Sequence, residues 1–193
     1  SFIVKYKDYK ILFDPYLFGQ AFNNGWNLLA EEDHSNELKG VTHIFFSHEH
    51  PDHFYPPFLK KYSKNESSKI KILYQETYDK KVIKFCRGLG FKAQELKDGV
   101  KYNIAKNFSI ICHKNPVYDS WCYININGKT ILNLNDCVLD DPSLINIVKK
   151  TVHTQPDILL TQFSYADFAF SKSDRRCSAE RKLNILKNIL DSL

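Results

Sequence analysis

An α/β sandwich is the fold class that this sequence predicts, and three features point to it. Short runs rich in β-branched and aromatic residues recur at 41–46, 70–74 and 91–96. Between the last two, residues 78–87 set Tyr78, Val82, Ile83 and Cys86 on one helical face, and Gly88 closes the run. Beyond residue 99 the strands meander, and Asn127-Gly128 is a strong hairpin signal between 121–126 and 129–134. A strand–helix–strand series followed by such a meander packs as layers.

Taken in order, Phe2, Val4 and Tyr6 alternate with Lys5 and Lys7, Asp8-Tyr9 turns the chain, and 10–13 returns as a second strand ending at Asp14-Pro15. Residues 16–36 form a long mixed segment, of the kind that is usually functional or mobile. Its Phe18, Phe22 and Trp26 read either as walls of a substrate pocket or as a local apolar cluster, and the cluster is preferred. His34, among Glu31, Glu32 and Asp33, reads as a surface residue. A helix starts at 56–61, and strands are expected at 99–104 and 108–112. Asp141-Pro142 is a helix start, with an N-cap before proline at the first position, and Leu144, Ile145, Val148 and Val152 form that helix's buried face. A strand at 157–162 leads into Phe163-Ser164-Tyr165-Ala166. The closing helix, 178–193, carries Leu183, Leu186, Leu190 and Leu193 on one side.

At 193 residues, 43% hydrophobic and 25% charged, the chain is expected to form a single domain, 1–193, with a core. No apolar run reaches membrane-spanning length. Five cysteines without a C-x-x-C pair suit small core residues in a reduced, cytoplasmic setting. The net charge of +5 permits a phosphate-bearing or nucleic-acid substrate without arguing for one, because the lysines are scattered as on a solvated face.

The chemistry concentrates in Ser47-His48-Glu49-His50-Pro51-Asp52-His53, a loop leaving the apolar strand 41–46. His48 and His50, two apart in extended backbone, point to one side. Asp52 and His53 follow Pro51 in a tight turn. Three neutral nitrogen ligands and one anionic oxygen ligand within six residues suit zinc, iron or manganese. A chance match to H-x-H-x-D-H somewhere along this chain is roughly one in a thousand, so a metal site outweighs a cluster of surface histidines.

This motif resembles the signature of the metallo-β-lactamase superfamily. The resemblance implies an αββα metallo-β-lactamase sandwich that holds two divalent metal ions, zinc first, with iron or manganese as alternatives. His48 and His50 would bind the first ion, and Asp52 and His53 would contribute to the second. Asp14, ending its strand as Asp-Pro, would buttress the His loop without binding metal. His113 would be the third ligand of the first ion, with Asp119 as its competitor, and Asp136 would bridge the two ions. Asn135 stands where many members have glycine. The family's last histidine has no counterpart, since none follows His153. With the abrupt strand-like start and helical finish, this leads to the expectation of a chain truncated at both ends. Phe13-Asp14-Pro15-Tyr16-Leu17, Asn23-Asn24-Gly25-Trp26, Leu132-Asn133-Leu134-Asn135-Asp136-Cys137 and Thr161-Gln162-Phe163-Ser164 are similar to one branch of the superfamily. That branch is the metallo-β-lactamase-like part of CMP-N-acetylneuraminate hydroxylase and its bacterial relatives.

Hydrolysis is the first functional expectation. A metal-activated water, oriented or deprotonated by Asp52 as the catalytic carboxylate, would attack a phosphodiester, lactone or similar bond of a small sugar- or nucleotide-like substrate. The alternatives are a di-iron, oxygen-handling hydroxylase-type protein, alone or with an electron-donating partner, and a non-catalytic binding scaffold.

Overall fold

The computed structural model describes residues 1–116, 118–162 and 172–192. The segment Phe163-Ser164-Tyr165-Ala166 and Leu193, which the sequence reading singled out, lie outside the described residues. The first sheet holds β1 (Phe2–Tyr6), β2 (Tyr9–Phe13), β5 (His43–Phe46), β6 (Lys71–Gln75) and β7 (Lys92–Leu96) in that spatial order. Its β1–β2 pair is antiparallel and the remaining pairs are parallel. The second sheet runs β12 (Ile158–Thr161), β11 (Lys129–Asn135), β10 (Ser120–Ile126), β9 (Phe108–Lys114) and β8 (Lys101–Ala105). It is antiparallel apart from the parallel β11–β12 pair.

Period-two alternation divides each strand between two layers. Ile11, Phe13, Phe45 and Leu73 of the first sheet meet Phe108, Ile110, Cys112, Cys122 and Ile124 of the second. Leu12, Ile44, Phe46, Ile72 and Tyr74 point the other way, against α2 (Pro56–Glu66) and α3 (Lys81–Gly88) through Phe58, Leu59, Val82, Ile83 and Cys86. On the far side of the second sheet, Trp121, Leu132 and Leu134 pack on Val148 and Val152 of α4 (Pro142–Val152) and Ile189 of α5 (Lys172–Leu190). The result is the helix–sheet–sheet–helix sandwich expected. The remaining elements are a two-stranded hairpin of β3 (Gln20–Ala21) and β4 (Trp26–Asn27) and the short α1 (Ser35–Leu38). Among the described residues no helix is long and apolar enough to cross a membrane.

Two helices depart from expectation. Helix α3 begins at Lys81 and leaves Tyr78 fully exposed, because Lys80 adopts a left-handed conformation that a continuing helix cannot pass. In α5 the inward residues are Ile185 and Ile189, while Leu183 and Leu190 are exposed. The (i, i+4) isoleucine pair is the stripe that faces the second sheet. The start of α4 is as expected: Asp141 accepts from Ser143 N at 2.7 Å, ahead of proline at the first position. Cys86, Cys112, Cys122 and Cys137 are buried free thiols, and Cys177 is exposed.

His43 is a buried histidine within β5. Its Nδ1 lies 2.9 Å from Thr42 Oγ1, and its ring sits beside Tyr9. Burial, followed by the Lys71 ammonium, lowers its pKa to about 4. Above the ordinary value of 6.5 the ring is neutral in both the folded and unfolded states. Below it the unfolded chain takes up a proton that the folded chain refuses, so stability falls as pH drops from 6.5 towards 4. Urea midpoints should therefore fall between about pH 7 and about pH 5, and His43→Leu should reduce that slope. An unchanged slope in the variant would mean that other groups carry it.

Candidate metal centre

Parallel pairing brings the C-terminal ends of β2, β5 and β6 side by side, and the His loop leaves from the middle one. Asp14, just past β2, donates its backbone N–H to Phe45 O at 3.0 Å. Its carboxylate accepts from Ser47 N at 2.8 Å and from Ser47 Oγ at 3.0 Å. Gln75, the last residue of β6, donates to Ser47 O at 3.1 Å, and Ser120, the first of β10, donates to it at 2.6 Å. Gln75 and Ser120 escaped the sequence reading. Their signal is a buried polar side chain at a strand end, which is visible only once burial is known.

Beyond Ser47 the chain turns tightly, with His53 N and Phe54 N both donating to His50 O, and buried Phe54 anchors the turn against Phe46. His48 Nε2 and His50 Nδ1 then face each other at 2.9 Å. The other nitrogen of His48, Nδ1, lies 3.0 Å from Ser47 Oγ and 3.3 Å from Asp119 Oδ1. A proton held there leaves the Nε2 lone pair for a metal. His53 Nε2 lies 3.3 Å from both Asp52 Oδ2 and Asp136 Oδ2, and its Nδ1 lies 3.3 Å from Asp14 Oδ2. Ligand atoms of His48, His53 and Asp136 fall within 4.8 Å of one another. Asp52 Oδ1 is buried without a hydrogen-bond partner. An orphaned carboxylate oxygen beside converging imidazoles is what a cation would satisfy, and the mixed nitrogen and oxygen donors fit zinc or iron.

Asp136 reaches the cluster because Asn135 takes φ 52° at the irregularity between β11 and β12. That left-handed conformation is one glycine would favour and asparagine tolerates, so the departure from glycine leaves the carboxylate in place. Burial by itself would push the His53 imidazolium down, but Asp136, Asp14 and Asp52 together outweigh it and raise its pKa to about 12. For Asp52 and Asp136 burial favours the neutral acid, and contact with His53 overrides it, holding both below the usual carboxylate range.

His113 lies elsewhere. Residues alternate across β9, so Cys112 faces the inter-sheet core and His113 the opposite side, where it stacks on Trp121 at 4.3 Å. Its Nε2 sits 2.9 Å from Thr151 Oγ1 of α4, and Asp98 is 3.6 Å from Nδ1. The third-ligand position implied for His113 is therefore not where the structure puts it. The competitor Asp119, in the loop before β10, is the residue that reaches His48.

The cluster sits in an open cleft of about 1180 Å³. Asp52, Asp119, Asp136, Asp140, Asp141 and Asp174 line it against Arg181 and Lys182, and Arg181 is itself paired with Asp140 at 2.8 Å. A chain of net charge +5 thus concentrates acidic groups in its cleft, a field that draws cations.

Alanine at His48 or Asp136 should lower metal affinity by at least about tenfold, and Asp14→Asn by about 10- to 100-fold through the loop it holds. His113→Ala should keep its metal and lose about 2 kcal/mol of stability, from the ring stack and hydrogen bond removed. Elemental analysis alongside urea unfolding measures both, and metal loss in His113→Ala would return that residue to the ligand set.

No family model matches the chain. In sequence it is 30% identical over 142 residues to cytidine monophosphate-N-acetylneuraminic acid hydroxylase of Sus scrofa, covering 69% of this chain and 32% of that protein. The chain thus aligns with about a third of that relative's length. Among solved structures it is similar to CmlA, a diiron β-hydroxylase from Streptomyces venezuelae, with TM-score 0.71 and 14% identity over 99% of this chain and 41% of that one. It is also similar to the metallo-β-lactamase fold protein YhfI from Bacillus subtilis, with TM-score 0.58 and 16% identity over 90% of this chain and 67% of that one. The chain is therefore a metallo-β-lactamase-fold protein, related in sequence to part of cytidine monophosphate-N-acetylneuraminic acid hydroxylase.

Proposed function

We propose that this chain forms the metal-binding core of an iron-dependent hydroxylase acting on a small sugar- or nucleotide-like substrate. The ligand set suits iron and zinc alike, so the observation that carries this reading is the 30% identity to a hydroxylase across most of the chain. In this reading His48 and His50 hold one ion, and Asp119 keeps the His48 ring oriented from behind. Asp52 and His53 serve the second ion. Asp136 lies against His53 and within electrostatic reach of His48 and His50, a placement that suits a bridging carboxylate. Iron, when bound, would supply the oxygen chemistry: one oxygen atom of O₂ enters a C–H bond and the other leaves as water, with two electrons and two protons from an electron-donating partner. Asp52, its Oδ1 free and buried, takes or returns a proton at the metal face. Ser47, Asp14 and Gln75 hold the loop still while this happens.

Hydrolysis remains the second reading, favoured by that same free Asp52 oxygen, which could accept the proton of a metal-bound water. Purified protein that is coloured, carries iron and consumes oxygen with a reductant supports hydroxylation. Colourless protein carrying only zinc, and turning over phosphodiesters or lactones, overturns it in favour of hydrolysis. In either case Asp136→Ala should abolish turnover.

A further inference from the structure

We propose that the helix-facing side of the second sheet carries a binding site for a small oxyanion, at the end of the sandwich opposite the metal centre. Phe22 and Trp26 line the metal cleft, and Phe18 packs on the core beside α2, so none of them takes part. The site is a separate pocket of about 340 Å³, and among the described residues no helix residue lines it. Asn103 of β8 pairs with Ser109 of β9, and Ser109 pairs in turn with Asn125 of β10. Residues directly opposite one another share a face, so the three side chains form one polar row. Lys101, two residues before Asn103 on β8, points the same way. Trp121 and Tyr123, on this same face of β10, are covered by α4 and α5, and the row begins where that cover stops. Asn125 follows Ser120, which touches the His loop, by five residues of extended strand, or about 17 Å.

Donors and acceptors are unequal in this pocket, and the imbalance selects the ligand. Asn125 Oδ1 already accepts from Gly128 N at 3.3 Å, and Asn127 Oδ1 accepts from Asn107 Nδ2 at 3.4 Å. The turns thus occupy the amide oxygens and leave the Asn125 and Asn127 side-chain N–H groups to the pocket. Ser109 is only 6% exposed, yet its hydroxyl has no hydrogen-bond partner among the described residues. A buried hydroxyl in that state costs stability unless a molecule outside the chain meets it. The Lys101 ammonium has no ion pair, and among the described residues no carboxylate lines the pocket. Beyond Asn125 the row continues to Thr130, where Asp157 is already taken by Thr130 N, Thr130 Oγ1 and Lys129 Nζ at 2.8, 3.1 and 2.7 Å. A free cation, a free hydroxyl and two amide N–H groups therefore line one pocket without a competing anion. A metal ion would be repelled by Lys101, and a sugar hydroxyl would need acceptors that the turns have occupied. An oxyanion uses the whole set.

Inorganic phosphate is the probe. It should bind wild-type protein saturably in calorimetry and raise the thermal midpoint as its concentration rises. Lys101→Gln and Ser109→Ala should each weaken phosphate about tenfold with metal content unchanged. In phosphate-free buffer Ser109→Ala should unfold at the same urea concentration as wild type or a higher one, because it removes a hydroxyl that nothing in the chain satisfies. Asp136→Ala, which disables the metal centre, should bind phosphate as wild type does. Glycerol 3-phosphate separates two sources of the same chemistry. Binding at least as tight as phosphate supports a receptor for the phosphoryl end of a larger molecule, and weaker binding supports a site for the free ion. The assignment fails if phosphate does not bind at tens of millimolar, or if Lys101→Gln and Ser109→Ala both keep wild-type affinity. It fails equally if Asp136→Ala loses the binding, since phosphate would then sit on the metal, or if Ser109→Ala is less stable without phosphate. Glucose that protects the fold as well as phosphate does overturns it in favour of a neutral ligand.

Discussion

Ser47 is the residue on which the architecture closes. Its N–H and hydroxyl are taken by Asp14 from β2, and its carbonyl accepts from Gln75 of β6 and Ser120 of β10. The two strands flanking β5 and a strand of the other sheet are thereby tied to the first residue of the His loop. Buried polar groups satisfied on every side resist displacement, because opening any contact strands a partner away from water. The same bonds that join the layers aim the imidazoles, so stability and site geometry are one problem in this fold.

The charge distribution follows a similar economy. The surface lysines give the chain its positive balance, while the cleft gathers carboxylates around the histidines. A basic exterior with an acidic cleft separates two tasks: attracting anions at a distance and holding cations at contact.

The strands, the helices and the His loop were legible from the amino acids, because strand periodicity and the H-x-H-x-D-H spacing are local signals. The four-layer order and the role of Asp14 came with the family resemblance, since an aspartate before proline reads by itself as a turn former. What could not be read was orientation. His113 ends its strand as expected, but which face of β9 it occupies depends on a register set by Trp121 across the ladder, and a shift of one residue exchanges the core for the α4 side. Leu183 and Leu190 misled similarly, since Ile185 and Ile189 share their half of the helix and offer a second stripe, and packing selects between the two. Phe18, Phe22 and Trp26 looked alike in sequence. Only the left-handed turn at 22–24 separates the first from the other two.

Asp14 meets both ends of the His loop: its carboxylate accepts from Ser47 N and Ser47 Oγ and lies 3.3 Å from His53 Nδ1. One side chain at the end of the adjoining strand therefore sets the span between the loop's first residue and its last imidazole. A slip of β2 against β5 would carry both along, so the strand pairing itself gauges how far apart the ligands stand.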